Sequence, residues 1–337
     1  MSTDAPDELE DLESGASVPS SETLALVPAE LAGQRLDAVA AKLFPDHSRS
    51  RLKTWIEEGS LWVNGAPVAR GRDPVREGDQ LDLRADVPEA NTDVQPQNIP
   101  IDVVYADDAI AIIRKPAGLT VHPGAGQKAS TLQNALLHHF PQTASVPRAG
   151  IVHRLDKDTS GLLVVALTPT AHTHLVDAIA QRDVAREYDA LITGTIVAGS
   201  TIDLPIGRHP RDRLRMAVNT AGRRAVTHYR VQERFKHHTL LRVKLETGRT
   251  HQIRVHLSHV KWPIVGDALY GGRVARGVGM SLRLREALLA FPRQALHARH
   301  LELEHPVTGE MMSFTAEPPE DFQALLRLLR DEQPQAL

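Results

Sequence analysis

The sequence predicts an α+β protein made of a small N-terminal domain and a larger domain with a mixed, mainly antiparallel β-sheet. Two patterns support this prediction. Residues 28–87 combine helical apolar spacing with short strand-like runs, whereas residues 101–330 contain many short β-branched runs with few helical segments between them. A stretch rich in Pro, Asn and Gln at 88–100 separates the two patterns and is typical of a linker.

The charges are unevenly distributed along the chain. The net charge is -3, but the first 22 residues hold seven acidic residues and no Lys or Arg. Residues 1–27 are therefore predicted to be a disordered acidic tail, and residues 331–337 a second short tail. Residues 201–300 carry 20 Lys or Arg against six Asp or Glu. A basic block of this size is typical of a protein that binds a polyanion.

The composition also argues against several classes of protein. Cys is absent, so a disulfide framework and a thiolate metal site are excluded. The N-terminus lacks the basic and apolar regions of a signal peptide, and no apolar run approaches the length of a membrane span. We therefore expect a soluble, cytoplasmic protein without a membrane partner.

The small domain begins with two helices and ends with strands. Apolar residues recur at i, i+3, i+4 and i+7 in 35–44, which predicts a helix. A Ser in N-cap position and a Gly after the last turn bound a second helix over 48–58. A strand at 61–63 enters an Asn-Gly turn at 64–65, and a final strand is predicted at 80–83.

The larger domain is predicted to be rich in strands. Helices are expected over 132–139, 171–182 and 251–260. Its strand-like runs include DVVYA, AIAIIR, LLVVAL, YDALITG, THYRVQERF and LLRVKLETG.

The segment 149–166 is the most informative part of the chain. A charged, turn-forming cluster at 153–161 is followed at once by an apolar run at 162–167, so the cluster lies where a buried strand begins. Loops held by a rigid strand are common positions for catalytic side chains. The pattern HRLD-x-x-TSG resembles the catalytic signature of the RluA-type RNA pseudouridine synthases, which implies that Asp156 is the essential carboxylate. The alternative is that Asp156 and Ser160 only cap a turn.

Two further segments resemble motifs of the same family. Residues 114–124 are similar to its first motif and, with two Pro and two Gly, are assigned mainly to turn structure. Residues 186–190 resemble the segment that carries the active-site tyrosine, which implies a catalytic role for Tyr188. The alternative for Tyr188 is a packed aromatic side chain with its hydroxyl satisfied.

The segment 246–256 resembles the remaining motif, in which the last arginine faces the catalytic aspartate. This resemblance makes Arg254 the partner of Asp156. The pairing is physically sensible because burial raises the pKa of a carboxyl group and an adjacent guanidinium lowers it. Arg154 and Arg249, which lie in the matched motifs, are assigned to RNA contacts. The resemblance continues through later segments at 263–267, 269–272, 293–298 and 305–309.

The small domain resembles the S4 RNA-binding domain. The shared pattern is an ordered set of short motifs: RLD, S-R-S-x-L-K-x-W-I-x-x-G, V-N-G and a late G-D. This resemblance implies that Arg49, Arg51 and Lys53 offer cations to RNA phosphates. The alternative is that the three side chains only form an exposed helix face.

The histidines raise the possibility of a metal site. His251, His256 and His259 lie within nine residues. However, residues at i and i+5 lie on different faces of a helix, whereas a helical zinc pair uses i and i+4. We therefore expect neither a metal nor another cofactor.

Together these resemblances imply an enzyme that isomerises uridine in RNA. The expected partner is large-subunit ribosomal RNA or a pre-ribosomal particle, and the protein is expected to act as a monomer. One alternative is the same chemistry on tRNA or on another rRNA site. The other is a noncatalytic RNA-binding factor in ribosome assembly, which would have no need of Asp156, Tyr188 and Arg254 together.

Overall fold

The computed structural model of the chain contains two compact units. The smaller unit contains the described residues up to 83, and the larger unit contains those from 94 onward. The structure describes residues 24–44, 49–68, 70–83, 94–124, 127–212, 214–271 and 279–332.

The smaller unit packs two helices on a four-stranded antiparallel sheet of order β1-β4-β2-β3. A 3-10 turn at Ala29–Leu31 follows β1. The predicted helices and strands are confirmed to within one or two residues, although Ser48 lies outside the described residues. The elements are β1 (Leu24–Leu26), α1 (Leu36–Leu43), α2 (Arg49–Glu57), β2 (Leu61–Val63), β3 (Ala66–Pro67) and β4 (Gln80–Leu83).

The Asn-Gly turn between β2 and β3 has the backbone that its sequence predicts. Asn64 and Gly65 both have positive φ values, 51° and 80°, as a type I′ hairpin turn requires. The Asn64 side chain also ties the turn to β4, because its Oδ1 accepts a hydrogen bond from the Gln80 N–H at 2.9 Å. The buried core of the smaller unit includes Leu36, Trp55 and other apolar residues of both helices and the sheet.

The larger unit is built on a nine-stranded sheet. Its main path runs β5-β6-β7-β14-β8-β13-β12-β9, and β15 pairs with β14. All pairings are antiparallel except β7 with β14, which confirms the predicted mixed, mainly antiparallel sheet. The strands are β5 (Asp102–Ala106), β6 (Ile110–Lys115), β7 (Ser160–Ala166), β8 (Ala185–Thr193), β9 (Ser200–Asp203), β12 (Val226–Arg234), β13 (His238–Leu245), β14 (Leu296–Glu304) and β15 (Met311–Thr315).

Five helices and a separate hairpin complete the larger unit. The hairpin pairs β10 (Ile206–Arg208) with β11 (Met216–Val218). Two 3-10 segments, Pro141–Ser145 and Pro147–Gly150, lead toward β7. The helices are α3 (Leu132–His139), α4 (Pro169–Gln181), α5 (Gln252–His259), α6 (Leu282–Ala290) and α7 (Glu320–Asp331).

Both faces of the sheet are covered where β6 and β7 run. Leu163 and Val165 belong to the large core, whereas Leu162 and Val164 belong to a second core that includes residues of α4. This two-sided burial explains why β7 is apolar without interruption after Gly161. The loop that precedes β7 is therefore attached to one of the most deeply buried strands of the unit. In the described part of the chain, no helix has the length and hydropathy needed to cross a membrane.

Candidate active site

The loop that carries Asp156 is anchored from beneath by a buried lysine. Lys115 is fully buried, and its Nζ donates to three backbone carbonyls, those of Pro116, Leu119 and Lys157, at 2.8–2.9 Å. Burial lowers the pKa of Lys115 to about 7, while the carboxylates of Asp156 and Asp158 favour its charged form. Lys115 of the first family motif therefore supports the loop, a role that the turn structure predicted for 114–124 does not reveal.

Strand β14 and the residues before it anchor the other end of the loop. The Gln294 amide donates to Thr159 Oγ1 at 3.1 Å, and Arg293 Nη1 donates to the Asp158 carbonyl at 3.3 Å. Ser160 Oγ lies 2.9 Å from His297 Nδ1. Because burial lowers the pKa of His297 to about 4 and its Nε2 lies 3.0 Å from a carbonyl, Nδ1 is the acceptor for the Ser160 hydroxyl. Thr159 and Ser160 thus hold the loop in place.

Arg254 joins the Asp156 loop to helix α5. Its Nε and Nη2 donate to the two carboxylate oxygens of Asp267 at 2.7 and 3.0 Å. Its remaining terminal nitrogen, Nη1, donates to Asp156 Oδ2 at 2.9 Å. The fork on Asp267 fixes the plane of the guanidinium, since a bidentate pair constrains both position and orientation. Asp267 is buried, so Arg254 is aimed at Asp156 by a rigid group.

Asp156 is nearly buried and yet favours its ionised form. Burial raises the pKa of the carboxyl group, but the positive charges of His251, Arg254 and Arg154 outweigh it and lower the pKa below its usual value. His251 contributes only while protonated, and burial lowers its own pKa. At neutral pH the two arginines therefore keep Asp156 charged.

One oxygen of Asp156 is left open. Oδ2 accepts from Arg254, whereas Oδ1 receives no hydrogen bond from any residue in the described ranges and is not sealed from solvent. A buried carboxylate normally has its acceptors satisfied. An ionised carboxylate with one held and one accessible oxygen is suited to act as a base or as a nucleophile.

Tyr188 lies on β8 and is buried beside this cluster. Burial raises the pKa of its hydroxyl, with the Arg186 charge lowering it and the Asp156 charge raising it further. Tyr188 also belongs to the large core together with Leu155 of the Asp156 loop. The three residues predicted to be catalytic, Asp156, Tyr188 and Arg254, are therefore brought together from the loop before β7, β8 and α5.

Tyr270 supports the cluster from the segment after α5. The guanidinium of Arg254 lies over its ring, 5.0 Å from the centroid, and Arg215 lies over the same ring at 5.2 Å. The Tyr270 hydroxyl lies 2.8 Å from His251 Nδ1 and accepts from the Met216 N–H at 2.9 Å. Tyr270 therefore connects the active-site arginine to the β10–β11 hairpin.

The residues predicted to bind RNA are distributed over several places. Arg154 is half-buried, and its charge acts on Asp156 and His251. Arg249 lies just before α5, where its Nε donates to the Arg224 carbonyl at 3.2 Å. Lys53 is exposed on α2, 3.8 Å from Glu57. Arg49 and Arg51 begin the same helix, but their side chains lie outside the described residues.

Three residues of the site have no role that the sequence alone assigns. Asp267 and Tyr270 lie in segments that the family resemblance already covers, so the motif VGD-x-LYG is the signal that points to them. His251 enters the sequence argument only as a metal ligand. Its hydrogen bond with Tyr270 depends on the turn after α5 that brings Tyr270 back to the start of that helix. A local sequence pattern does not reveal this turn.

The chain is similar to known proteins along most of its length. The profile described as RNA pseudouridylate synthase matches residues 109–259, and the S4 domain profile matches residues 34–81. A ribosomal large subunit pseudouridine synthase D from Pseudomonas aeruginosa is 58% identical over 91% of this chain and 95% of its own length. The protein of that name from Xanthomonas campestris pv. campestris is 54% identical over 93% of this chain and 94% of its own.

A solved human structure extends the comparison to the fold. It is titled Human RNA Pseudouridylate Synthase Domain Containing 4 and is 25% identical, with a TM-score of 0.54 over 68% of this chain and 93% of that one. Sequence identity above half along almost the entire length, together with the shared fold, assigns the chain to one family. This chain belongs to the RNA pseudouridylate synthase family and carries an S4 domain.

Proposed function

We propose that this chain converts uridines of large-subunit ribosomal RNA to pseudouridine, with Asp156 as the essential carboxylate. The observation that carries the proposal is the Asp156 side chain, charged and held through Oδ2 by Arg254 while Oδ1 stays open. The choice of RNA rests on the name that relatives of 50–58% identity share, ribosomal large subunit pseudouridine synthase D.

The reaction requires the target nucleotide to leave its stack and enter the site. Flipping costs a few kcal/mol of unstacking, which is smallest for a base in a loop. Asp156 then acts at the ribose, either by attacking C1′ or by removing the 2′ proton. The bond from N1 to C1′ breaks, the uracil rotates, and C5 forms the new bond to C1′. In the first route this step displaces the Asp156 oxygen from C1′, and in the second route Asp156 returns the proton to C2′. The C5 proton is lost and N1 regains one, so no atom is gained or lost and no co-substrate enters.

The other residues have supporting roles in this proposal. Tyr188 stacks on the uracil and assists removal of the C5 proton. Arg254 keeps Asp156 ionised and oriented, because Asp267 fixes its guanidinium. Arg154 and Arg249 contact the RNA, and Asp158, Thr159 and Ser160 maintain the loop. Arg49, Arg51 and Lys53 bind RNA phosphates and take no part in the chemistry.

The organisation of the chain and its place of action are part of the proposal. We take the S4 domain as residues 28–87, the linker as 88–100 and the catalytic domain as 101–330. The predicted tails at 1–27 and 331–337 need a correction at their inner ends, because Leu24–Leu26 pair with β4, Val27 is buried in the core of the smaller unit and Asp331 ends α7. The remaining tail residues, 1–23 and 333–337, lie outside the described residues. The protein acts as a monomer in the cytoplasm, on RNA that is folded or assembled into pre-ribosomal particles.

The proposal is tested by giving the purified protein a choice of RNAs under one salt condition. Unmodified large-subunit RNA, large-subunit particles and tRNA transcripts are incubated separately, and carbodiimide labelling locates the pseudouridines. We expect several nearby uridines of the large-subunit RNA to react, and to react faster in particles than in naked transcript. If only tRNA is modified, the proposed reaction is supported and the proposed substrate is wrong. If no RNA is modified although it binds, the noncatalytic alternative is supported.

A further inference from the structure

His251 lies beside Asp156 without a role in the mechanism so far. It is the residue before α5 and has a left-handed backbone, with φ of 57° and ψ of 19°. Non-glycine residues rarely adopt this conformation, and it persists where surrounding contacts hold it. Here the contact is with Tyr270, whose ring packs edge-on against the imidazole at a centroid distance of 5.6 Å.

The hydrogen bonds around Tyr270 define which nitrogen of His251 carries the proton. The Tyr270 oxygen accepts from the Met216 N–H, and burial raises the pKa of the hydroxyl to about 12, so it keeps its proton. That proton is then donated to His251 Nδ1, 2.8 Å away. Burial lowers the pKa of His251, so the ring is neutral and its single proton lies on Nε2.

This arrangement leaves one donor unused. Nε2 of His251 makes no hydrogen bond to any described residue, and the half-buried ring does not seal it from solvent. The Asp156 charge acts on the His251 ring, and Arg254, one helical turn further along, bonds to Asp156. The open N–H of His251 and the open Oδ1 of Asp156 therefore belong to the same small cluster.

We propose that the Nε2–H of His251 donates a hydrogen bond to an oxygen atom of the flipped target nucleotide, either a uracil carbonyl or a ribose oxygen. Tyr270 acts as the positioning residue, because its hydroxyl holds the imidazole in the tautomer that presents this donor. The inference rests on the proposed function, since it requires a uridine beside Asp156.

A matched pair of substitutions separates the donor from a purely structural role. His251→Asn keeps a polar group near the position of Nδ1 for Tyr270 but removes the Nε2 donor, and Asn tolerates the left-handed backbone better than most residues. His251→Gln places an amide N–H near the position of Nε2 and gives up the hydrogen bond with Tyr270. The measurements are the single-turnover rate at saturating RNA, RNA affinity and melting temperature for each protein.

We expect His251→Asn to slow the single-turnover rate by about tenfold or more, the value of one missing hydrogen bond, with unchanged RNA affinity. His251→Gln should remain within about threefold of the wild type even if it melts at a lower temperature, because its amide still supplies a donor. An Asn variant within twofold of the wild type overturns the inference, because His251 then only supports Tyr270. Equal losses in both variants also overturn it.

RNA with 2-thiouridine or 4-thiouridine at the target identifies the oxygen. Sulfur is a weaker acceptor, so a contacted carbonyl slows the wild type and leaves the His251→Asn variant unaffected. If the wild type reacts with 2-thiouridine RNA and with 4-thiouridine RNA as fast as with uridine RNA, the contact is assigned to a ribose oxygen. A wild-type protein that forms no pseudouridine in any large-subunit substrate would overturn the proposed function, whereas an active wild type with an equally active Asn variant overturns only the role of His251.

Discussion

The two sides of strand β8 use the same charged residue types in opposite ways. On one side, Glu187 and Asp189 are bound by Arg242 of β13, through its Nη1 at 3.4 Å and its Nε at 2.9 Å. Arg299 of β14 approaches the second oxygen of Asp189 at 4.0 Å. On the side of Tyr188, Arg254 is divided between Asp267 and Asp156, and one oxygen of Asp156 remains open.

The difference shows what separates a structural charge cluster from a reactive one. In the ladder around Asp189, the carboxylates lie near cations of β12, β13 and β14, yet burial still raises the pKa of Asp189. In the site, the buried Asp267 takes two of the three guanidinium nitrogens of Arg254, and the third binds Asp156. The number of charges is similar on the two sides, but the cations of the site lower the pKa of Asp156, whereas burial outweighs the cations around Asp189.

The strongest test of this comparison removes the open carboxylate. Asp156→Asn keeps the shape and polarity of the side chain but abolishes the base or nucleophile. We expect no detectable pseudouridine, RNA binding largely unchanged and little change in melting temperature, since Arg254 keeps its fork on Asp267. Asp158→Asn is the matched control in the same loop and should stay active. Turnover of Asp156→Asn within tenfold of the wild type would show that this carboxylate is not essential.

Removing the shared cation should damage both activity and stability. Arg254→Met leaves Asp156 and the buried Asp267 without their partner, at a cost of about 3–5 kcal/mol in the free energy of unfolding. In the wild type the pKa of Asp156 is lowered, so its charge stabilises the fold above the unfolded pKa of about 3.9 and is lost as pH falls through the folded pKa. In Arg254→Met the carboxyl group of Asp156 loses this cation, so burial moves its pKa upward relative to the wild type.

The acid limb of the pH–rate profile should therefore move to higher pH in Arg254→Met, in whatever activity remains. Arg254→Lys serves as the comparison, because it keeps the positive charge and loses the fork. A profile of Arg254→Met that coincides with that of the wild type would mean that Arg254 does not control the ionisation of Asp156.

Breaking the ladder on the other side should affect stability alone. Burial raises the pKa of Asp189 even with Arg242 in place, so Arg242→Met would leave two carboxylates without their main cation. We expect a loss of about 2–3 kcal/mol in the free energy of unfolding and a turnover number within about threefold of the wild type. Arg230→Met is the control: its contact with Glu187 is long and exposed, and surface pairs contribute about 0–1 kcal/mol. If Arg242→Met loses most of its turnover while its stability is unchanged, the conclusion that this side of β8 has only a structural role is contradicted.

The smallest effect on the reaction is expected from substitution of charged residues whose only proposed role is to bind RNA. The triple variant Arg49→Gln, Arg51→Gln and Lys53→Gln should bind large-subunit RNA more weakly without altering the chemical step. Its salt dependence should be shallower by about 0.7–0.9 for each phosphate that the protein no longer neutralises. Lys42→Gln on α1 is a single-charge control to be compared with Lys53→Gln. An affinity and slope equal to those of the wild type would remove these residues from the RNA interface.

Local patterns are sufficient to predict most of the elements in the chain. The continuous apolar run of β7, the turn at Asn64 and the capped helix α3 each follow from short-range preferences, and the structure has them where the sequence predicts them. Such local patterns do not predict the pairings between strands that are far apart in the sequence. Strand β14 is rich in His and charged residues, and nothing local indicates that it lies between β7 and β8.

The same distinction between local patterns and long-range packing applies to the residues of the candidate active site. Asp156, Tyr188 and Arg254 are assigned through motifs, and their roles stay predictions until variants are assayed. Asp267 and Lys115 act through contacts that long-range packing creates, so the sequence points to their motifs without a role. Lys115 in particular is a cation that never meets a substrate-facing surface, and its use as an internal support appears only when its three carbonyl partners are known.

The central position of β14 has a consequence for the timing of synthesis. The strand that carries Tyr188 and the strand that follows Asp156 meet only through β14, and Gly161 packs so closely on Ala298 that an added Cβ would lie 2.2 Å from its carbonyl oxygen. Chains emerge from the ribosome N-terminus first, and β14 follows the smaller unit, β7 and β8 in the chain. The nascent protein can thus present its S4 unit to RNA long before its catalytic residues are in register. The RNA-binding unit is therefore synthesised early, and the reaction has to wait until β14 has been synthesised and paired with β7 and β8.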